Sequence, residues 1–493
     1  MNRRPDNNLN ILLVQPSKHG GVESLFTFHK HDGLGHKPPL GIMTLATYLI
    51  SRGFRNTRCL DARLENLSPE QTATRVAALK PDLVGFSVWT DFWYPTWETI
   101  RLTRGKLPEC KIILGGPHCL VYPREALEYS DADYLVAGDG EDTLIGLLDG
   151  LSSGRPAADL PGLWRKEGTR IIPPATAIAV VDDLDRIPNP DRTLLPHEEY
   201  SSILNPNDYE TTMVTSRGCP HRCVFCKMHA QEVHARSAEQ VIREFREIAS
   251  LGISDVQVYD DTFTWSRKRV IDICTGILDS GIRIRWAIRD RVDKADPEVY
   301  ELLKAAGCHR IHFGVESGSE PILRASGKGI TLEQADCAIR LANRVGFTTL
   351  AYYMFGFLDE TYADALKTIH VATAMPSDYA VFAVLIPYPG TSLYQTALEQ
   401  GIIPRDFWLE FTKKPVPDFR VPHLIEQHMD RKTLISLKDK ALRRFYFRPA
   451  RILREILKLR SRGELCRKTR MAGTIVNDSF NSLIRNRLCP GRA

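Results

Sequence analysis

The chain has 493 residues, of which 43% are hydrophobic and 25% charged, with a formal net charge of +5. It is too long for one ordinary core, so two or three domains are expected, and too apolar for disorder on a large scale. No run approaches the roughly 18 uninterrupted apolar residues of a spanning helix. The N-terminal "MNRRPDNNLNILLVQPS" has too short an apolar run before Pro16 for a secretory leader, and a soluble cytoplasmic protein is expected.

The charge is unevenly spread. Residues 431–493 hold 18 Lys and Arg against 4 Asp and Glu, a net +14, so the rest of the chain sums to −9. The 11 cysteines are mostly solitary. Cys59, Cys110, Cys119, Cys274, Cys308, Cys337, Cys466 and Cys489 read as reduced thiols rather than a disulfide framework. Cys219, Cys223 and Cys226 alone cluster.

In chain order, "NILLVQPS" reads as a buried strand and "PPLGIMTLATYLISRGF" as a helix entered through Pro-Pro and closed by Gly53. "TRCLDA", a helix over 68–79, "DLVGFSVWT", a helix over 95–106, "KIILGGPH", "ADYLVAGDGE" and a helix over 141–150 follow. Strands alternating with such helices give an α/β fold over 10–150, a doubly wound parallel sheet with its ligand at the C-terminal strand ends. Repeated prolines mark 151–207 as a linker or small subdomain. A second series, "ETTMVTSRGC", "DVQVYDDTF", "RIRWAIRDR", "RIHFGVES", "TTLAYYMFGF" and "YAVFAVLIPYPG", makes six βα units, a partial barrel over 208–400. The remainder, 401–493, reads as helical and basic, with Ile452, Ile456 and Leu459 at helical spacing.

The loop "TSRGCPHRCVFCKMHA" follows the first strand of that barrel. Three thiols in one loop leave a tetrahedral zinc site one ligand short, to be completed by His221 or His229. They also suit an iron–sulfur cluster with one open iron.

A C-x3-C-x2-C loop after the first strand of a six-unit βα barrel resembles the radical S-adenosylmethionine (SAM) superfamily. The resemblance implies a 4Fe-4S cluster on Cys219, Cys223 and Cys226, whose open iron chelates SAM and yields a 5′-deoxyadenosyl radical. It places Phe225 beside the adenine, and Asp260 or Asp261 of "YDDTF" near the SAM amino group. It further implies Arg289 on the SAM carboxylate, and Glu316 and Ser317 of "FGVES" on the ribose and methionine parts. "MFGFLDET" resembles the family's "GLPGET", with departures at Phe357, Leu358 and Asp359.

The first domain resembles the Rossmann-like cobalamin-binding domain found in one branch of that superfamily, through "KPPLGIMTLATYLISRGF", "PDLVGFSVWT", "ILGGPH" and "VAGDGEDTL". Gly115, Gly116, Gly138 and Gly140 would let backbone approach a bulky ligand. Ser87 and Thr90 would meet the nucleotide tail or corrin amides, and Trp89, Phe92, Trp93, Tyr94 and Trp97 would wall a flat macrocycle. The D-x-H-x-x-G motif is absent, since "PSKHGG" offers His19 without the Asp, so cobalamin bound base-off without a His ligand is expected. Methylthiotransferases are a poorer match, because Cys59, Cys110 and Cys119 lie differently from their cluster ligands and the tail reads helical.

The resemblance implies methylation of cobalamin by one SAM, hydrogen abstraction by the radical from a second, and methyl transfer to an unactivated carbon of a small-molecule or lipid-like substrate. Oxidative chemistry without methylation, as in anaerobic magnesium-protoporphyrin cyclases, uses the same motifs. A cobalamin sensor or carrier with an inactive barrel is the third reading. An external electron donor such as flavodoxin or ferredoxin is implied. The basic tail is compatible with peripheral membrane contact, and no nucleic-acid motif accompanies its charge.

Overall fold

The computed structural model describes residues 8–23, 36–154, 159–201, 209–227, 232–449 and 473. The helical spacing at Ile452, Ile456 and Leu459 lies outside the described residues. Among the described residues, no helix is long and apolar enough to cross a membrane.

The first domain is built on strands β1 (Ile11–Gln15), β2 (Thr57–Asp61), β3 (Leu83–Ser87), β4 (Lys111–Gly115) and β5 (Tyr134–Val136). Neighbouring strands among these five run parallel, in the order β2-β1-β3-β4-β5. Helices cover both faces, so alternate side chains feed two cores: Leu12, Val14, Val84 and Phe86 one, Ile11, Leu13, Leu83 and Ile113 the other. This double burial is why the strands read as continuous apolar runs.

The segment expected as a linker or small subdomain adds to the first sheet. Residues β6 (Leu163–Glu167) and β7 (Arg170–Ile172) extend the sheet antiparallel beyond β5. Gly168, at φ +61°, turns this hairpin between flanking prolines, and those prolines masked its short alternation in the sequence.

The second sheet holds β8 (Glu210–Met213), β11 (Asp255–Val258), β12 (Arg285–Asp290), β13 (Cys308–Glu316), β14 (Thr348–Phe355) and β15 (Tyr379–Val384). A short antiparallel pair, β9 (Ser216–Arg217) and β10 (His234–Ala235), precedes β11. The six main strands run parallel in the order β15-β14-β13-β12-β11-β8, and β8 and β15 stay unjoined. The expected partial barrel is present.

The segment after the barrel stitches the two sheets together. The Asp406 carboxylate accepts from the hydroxyls of Tyr122 (2.8 Å) and Tyr394 (2.9 Å), one from each domain. Trp93 Nε1 donates to the Thr412 carbonyl at 3.0 Å, and the Tyr388 hydroxyl to Asp91 at 2.9 Å. Helix Arg431–Tyr446 then lays Leu434, Leu437, Ala441 and Phe445 against the barrel, and the Tyr446 hydroxyl donates to the Ala380 carbonyl at 2.8 Å.

Asp290, at the end of β12, is a buried carboxyl that burial pushes up to about 7, although Thr264 and the Arg291 N–H donate to it. The unfolded chain releases this proton near pH 4 while the folded chain keeps it, so stability falls as pH rises from about 4 towards 7, by up to ~1.4 kcal/mol per unit. Asp290→Asn keeps the shape of the neutral acid. It is expected to flatten the fall in melting temperature between pH 5 and 7, and a wild-type slope in the variant would refute this.

Candidate active site at the facing strand ends

The cysteine loop leaves the end of β8 and is closed at its base by the β9–β10 pair. Its middle is clamped from both sides: the Val224 N–H donates to the Ser326 carbonyl, and the Val224 carbonyl accepts from the Leu393 N–H, both at 2.9 Å. Cys219 and Cys223 are half-buried and Cys226 is exposed, all as free thiols. Burial raises the Cys223 thiol and pushes Cys226 up to about 11, with the neighbouring thiols and Asp261 adding to the latter. Metal must therefore displace protons from this loop.

Among the described residues, no three His, Cys, Asp or Glu side chains converge as a ready metal cage. His229 lies outside the described residues. The donor set, three soft thiols on one loop and no fourth, fits an iron–sulfur cluster with an open iron.

The strand ends around this loop separate the expected SAM contacts into two groups. Phe225 meets Phe357 edge-on, with ring centroids 5.8 Å apart, so the cysteine loop and the loop after β14 form one apolar wall. Asp261 accepts from the Gly218 N–H and feels Arg289, which both lower its carboxyl, but desolvation at the strand end and the neighbouring Asp260 raise it to about 6. The Arg289 guanidinium lies 3.5 Å over the Tyr259 ring, a cation–π contact. Glu316, at φ +71°, pairs with Lys328 Nζ at 2.5 Å. A Cβ on Gly314 would meet the tips of both side chains of that pair.

Asp260 and Ser317 are corrections. The Asp260 carboxylate is buried and accepts from the Thr215 N–H (2.6 Å), the Thr215 hydroxyl (2.5 Å), the Ser216 N–H (3.2 Å) and the Ser216 hydroxyl (2.7 Å). It pins the start of the cysteine loop and has little capacity left for a ligand. The Ser317 hydroxyl is fully buried between Thr368 and the Ser319 N–H, each at 3.2 Å, and braces the turn after β13.

In the first domain, a cavity of about 200 Å³ opens between the sheet and the helices that begin at Leu40 and Glu141. Ser87, Gly115, Gly116, Gly138 and Gly140 line it, with Arg217 reaching in from the barrel. The glycines serve different ends. A Cβ on Gly115 would meet nothing within 4 Å, so that position faces open space. Gly116 and Gly138, at φ +104° and +108°, are glycines for the backbone's sake, because a Cβ there would strike Val88 and Ala179.

Thr90 is not in the cavity lining. It bonds instead to Nδ1 of the fully buried His118 at 3.2 Å. The aromatic row also departs from expectation. Helix Trp93–Lys106 begins inside it and turns Trp93 into the core, while Trp97 Nε1 donates to the Tyr129 carbonyl at 2.8 Å and Tyr94 sits 6.4 Å from the Trp97 ring. The Phe92 ring lies under Arg63, and Trp89 is 52% exposed. The cavity wall is mostly aliphatic instead, from Leu13, Ile42, Leu45, Ile113 and Leu144, with Phe86 beside them. His19 Nε2 is engaged by Asn66 Oδ1 at 2.9 Å.

The two sites share a wall. Arg217, two residues before Cys219, places Nη1 at 2.9 Å from Asp139 and Nη2 at 2.6 Å from Glu141, both in the "GDGE" loop of the first domain. Lys328, Gly314 and Arg217 were not among the residues expected from the sequence. The acidic "GDGE" loop and the arginine beside the thiols held a signal of complementarity, but nothing local pairs them.

Residues 213–372 match the family model of the Radical SAM superfamily, and residues 34–148 that of the B12 binding domain. Over 426 residues the chain is 32% identical to an uncharacterized methyltransferase of Pyrococcus horikoshii, covering 85% of this chain and 90% of that protein. The chain belongs to the cobalamin-binding branch of the radical SAM superfamily. It is also 27% identical, over 454 residues, to the anaerobic magnesium-protoporphyrin IX monomethyl ester cyclase of Rubrivivax gelatinosus, covering 90% of this chain and 78% of that one. The fold is shared with the radical SAM methyltransferase TsrM of Kitasatospora setae, solved with cobalamin and a 4Fe-4S cluster. There the TM-score is 0.64 at 22% identity, covering 80% of this chain and 75% of that one. This radical SAM enzyme therefore works with a 4Fe-4S cluster, SAM and cobalamin.

Proposed function

We propose that this enzyme transfers a methyl group to an unactivated carbon of a small-molecule or lipid-like metabolite. The observation that carries this reading is Arg217, which makes one wall common to the cysteine loop and the glycine-lined cleft. Bound to these sites, SAM on the cluster supplies a 5′-deoxyadenosyl radical and cobalamin supplies the methyl group.

The chain's own residues bind, orient and exclude water. Cys219, Cys223 and Cys226 hold the cluster. Arg289 pairs with the SAM carboxylate, Asp261 with its amino group, and Glu316, fixed by Lys328, with its polar parts. Phe225 and Phe357 form the dry wall beside the adenine. Ser87 and the open backbone at Gly115 face the corrinoid. Reducing equivalents come from an external donor of the flavodoxin or ferredoxin kind.

Similarity to the cyclase along 90% of this chain supports a second reading, oxidation without methyl transfer. One assay separates the two. The reconstituted, reduced enzyme is given methyl-labelled SAM with lipid and metabolite extracts, and 5′-deoxyadenosine, S-adenosylhomocysteine and label are followed. Both products with label entering an extract component are expected. Deoxyadenosine without label transfer would replace methylation by the oxidative reading.

A further inference from the structure

Along β12 and β13, Trp286, Ile288, Ile311 and Phe313 join the core under the helices, so the alternating residues Arg289, Arg310 and His312 face the barrel lumen. On β14 Tyr352 alternates with Ala351 and Tyr353 in the same way, and on β8 Thr212 alternates with Met213. A closed barrel of parallel strands fills this space with branched apolar side chains. Here it is polar.

Two of these side chains are left incomplete. His312 and Thr212 are each 6% exposed, and His312 Nε2 and Thr212 Oγ1 have no hydrogen-bond partner among the described residues. The other imidazole nitrogen, Nδ1, lies 2.9 Å from the Tyr352 hydroxyl. Were the phenol to accept there, its own proton and the Nε2 lone pair would both lack partners. A phenol that donates to Nδ1 leaves only the Nε2 proton unmatched, so this arrangement costs less and makes Nε2 a donor into the lumen.

The surroundings of this donor are cationic. Burial, and then Arg289, Arg310 and more weakly Lys37, hold the imidazole neutral and well below its usual range. The lumen's carboxylates lie a layer deeper, at the first residues of β8 and β11, and are engaged, Glu210 by Lys37 and Asp255 by His309 at 3.0 Å. The Tyr352 phenol feels both Arg289 and Glu316, so the cluster adjoins the residues read above as SAM contacts.

We propose that His312, oriented by Tyr352, is a specificity-determining residue that receives an anionic oxygen of the substrate, which is therefore a carboxylate or a phosphate ester rather than a neutral hydrocarbon. Nε2–H supplies the hydrogen bond, Arg310 the favourable field, and Thr212 a second hydroxyl. The assignment rests on the proposed function, in which a small molecule enters the barrel.

The test uses the reconstituted, reduced full chain with methyl-labelled SAM. A metabolite extract is separated by anion exchange into neutral and anionic fractions, and a portion of the anionic fraction is treated with phosphatase. The anionic fraction alone is expected to raise 5′-deoxyadenosine formation and to take up label. Loss of this response after phosphatase would mark a phosphate, and its persistence a carboxylate.

His312→Leu is expected to raise the amount of anionic fraction needed for a half-maximal response at least about tenfold, with a smaller change in the maximal rate, because it deletes a donor to a charged group. His312→Gln, which keeps an N–H donor, should recover much of that loss. Tyr352→Phe removes the hydroxyl that sets the tautomer and should give a smaller loss of the same kind, which keeps the test open where His312→Leu does not fold. Response to the neutral fraction only or to neither, or equal half-maximal amounts for wild type and His312→Leu, would overturn the subsite. Deoxyadenosine raised by the anionic fraction without label transfer would leave the subsite standing and overturn methyl transfer instead.

Discussion

Cys226→Ser is expected to lower 5′-deoxyadenosine formation by more than about a hundredfold, since even a lost partner behind a metal ligand costs 10–100-fold. The serine hydroxyl is a harder donor than a thiolate and stays protonated near neutral pH, so the cluster loses one of three soft ligands. The fold should be kept, because Cys226 is exposed and the loop is fastened through Val224 instead. Iron and sulfide per chain should drop while the melting temperature and cobalamin affinity hold. Cys337→Ser, at another exposed cysteine, is the control and should change none of these. Full iron content and full turnover in Cys226→Ser would remove the cysteine loop from the active site.

Arg217→Glu should have the next largest effect. Its guanidinium is 23% exposed and its partners Asp139 and Glu141 are 9% and 3% exposed, so reversing its sign sets three carboxylates against one another in a half-dry seam. Removing one member of a buried pair costs about 3–5 kcal/mol, and partial exposure here points to the lower end of that range. Melting should become less cooperative as the domains part, and cobalamin binding should weaken about tenfold or more because Arg217 is part of the cleft wall. SAM cleavage, which depends on the barrel residues, should outlast methyl transfer, so deoxyadenosine would form without labelled product. Adding Glu141→Arg should restore much of both losses. Wild-type cobalamin affinity in Arg217→Glu would show that the ion pairs do not shape the cleft.

The sequence alone determined which local devices are present. Spacing was sufficient for the cysteine trio, because three thiols within eight residues must share one loop. Alternating strands and helices carried both sheets, since strands buried on both faces read as apolar runs whatever their neighbours are. The glycine-rich turns were legible for the same local reason, although only Gly115 among the four turned out to face open space.

Tertiary structure decided which polar group of each local pair does what. Asp260 and Asp261 are neighbours at a strand end, where successive side chains point to opposite sides. The buried Thr215–Ser216 turn claims one and leaves the other exposed. Ser317 is taken by Thr368, 51 residues away, while Glu316 is held by Lys328. The aromatic row near residue 93 depended on the residue at which a helix begins, because that phase sets which rings enter the core. The joining of the two cofactor sites rests on Arg217 meeting Glu141 across 76 residues. Ion pairing falls off over a few ångströms, so it follows the distance that packing creates and leaves no periodic trace in the sequence.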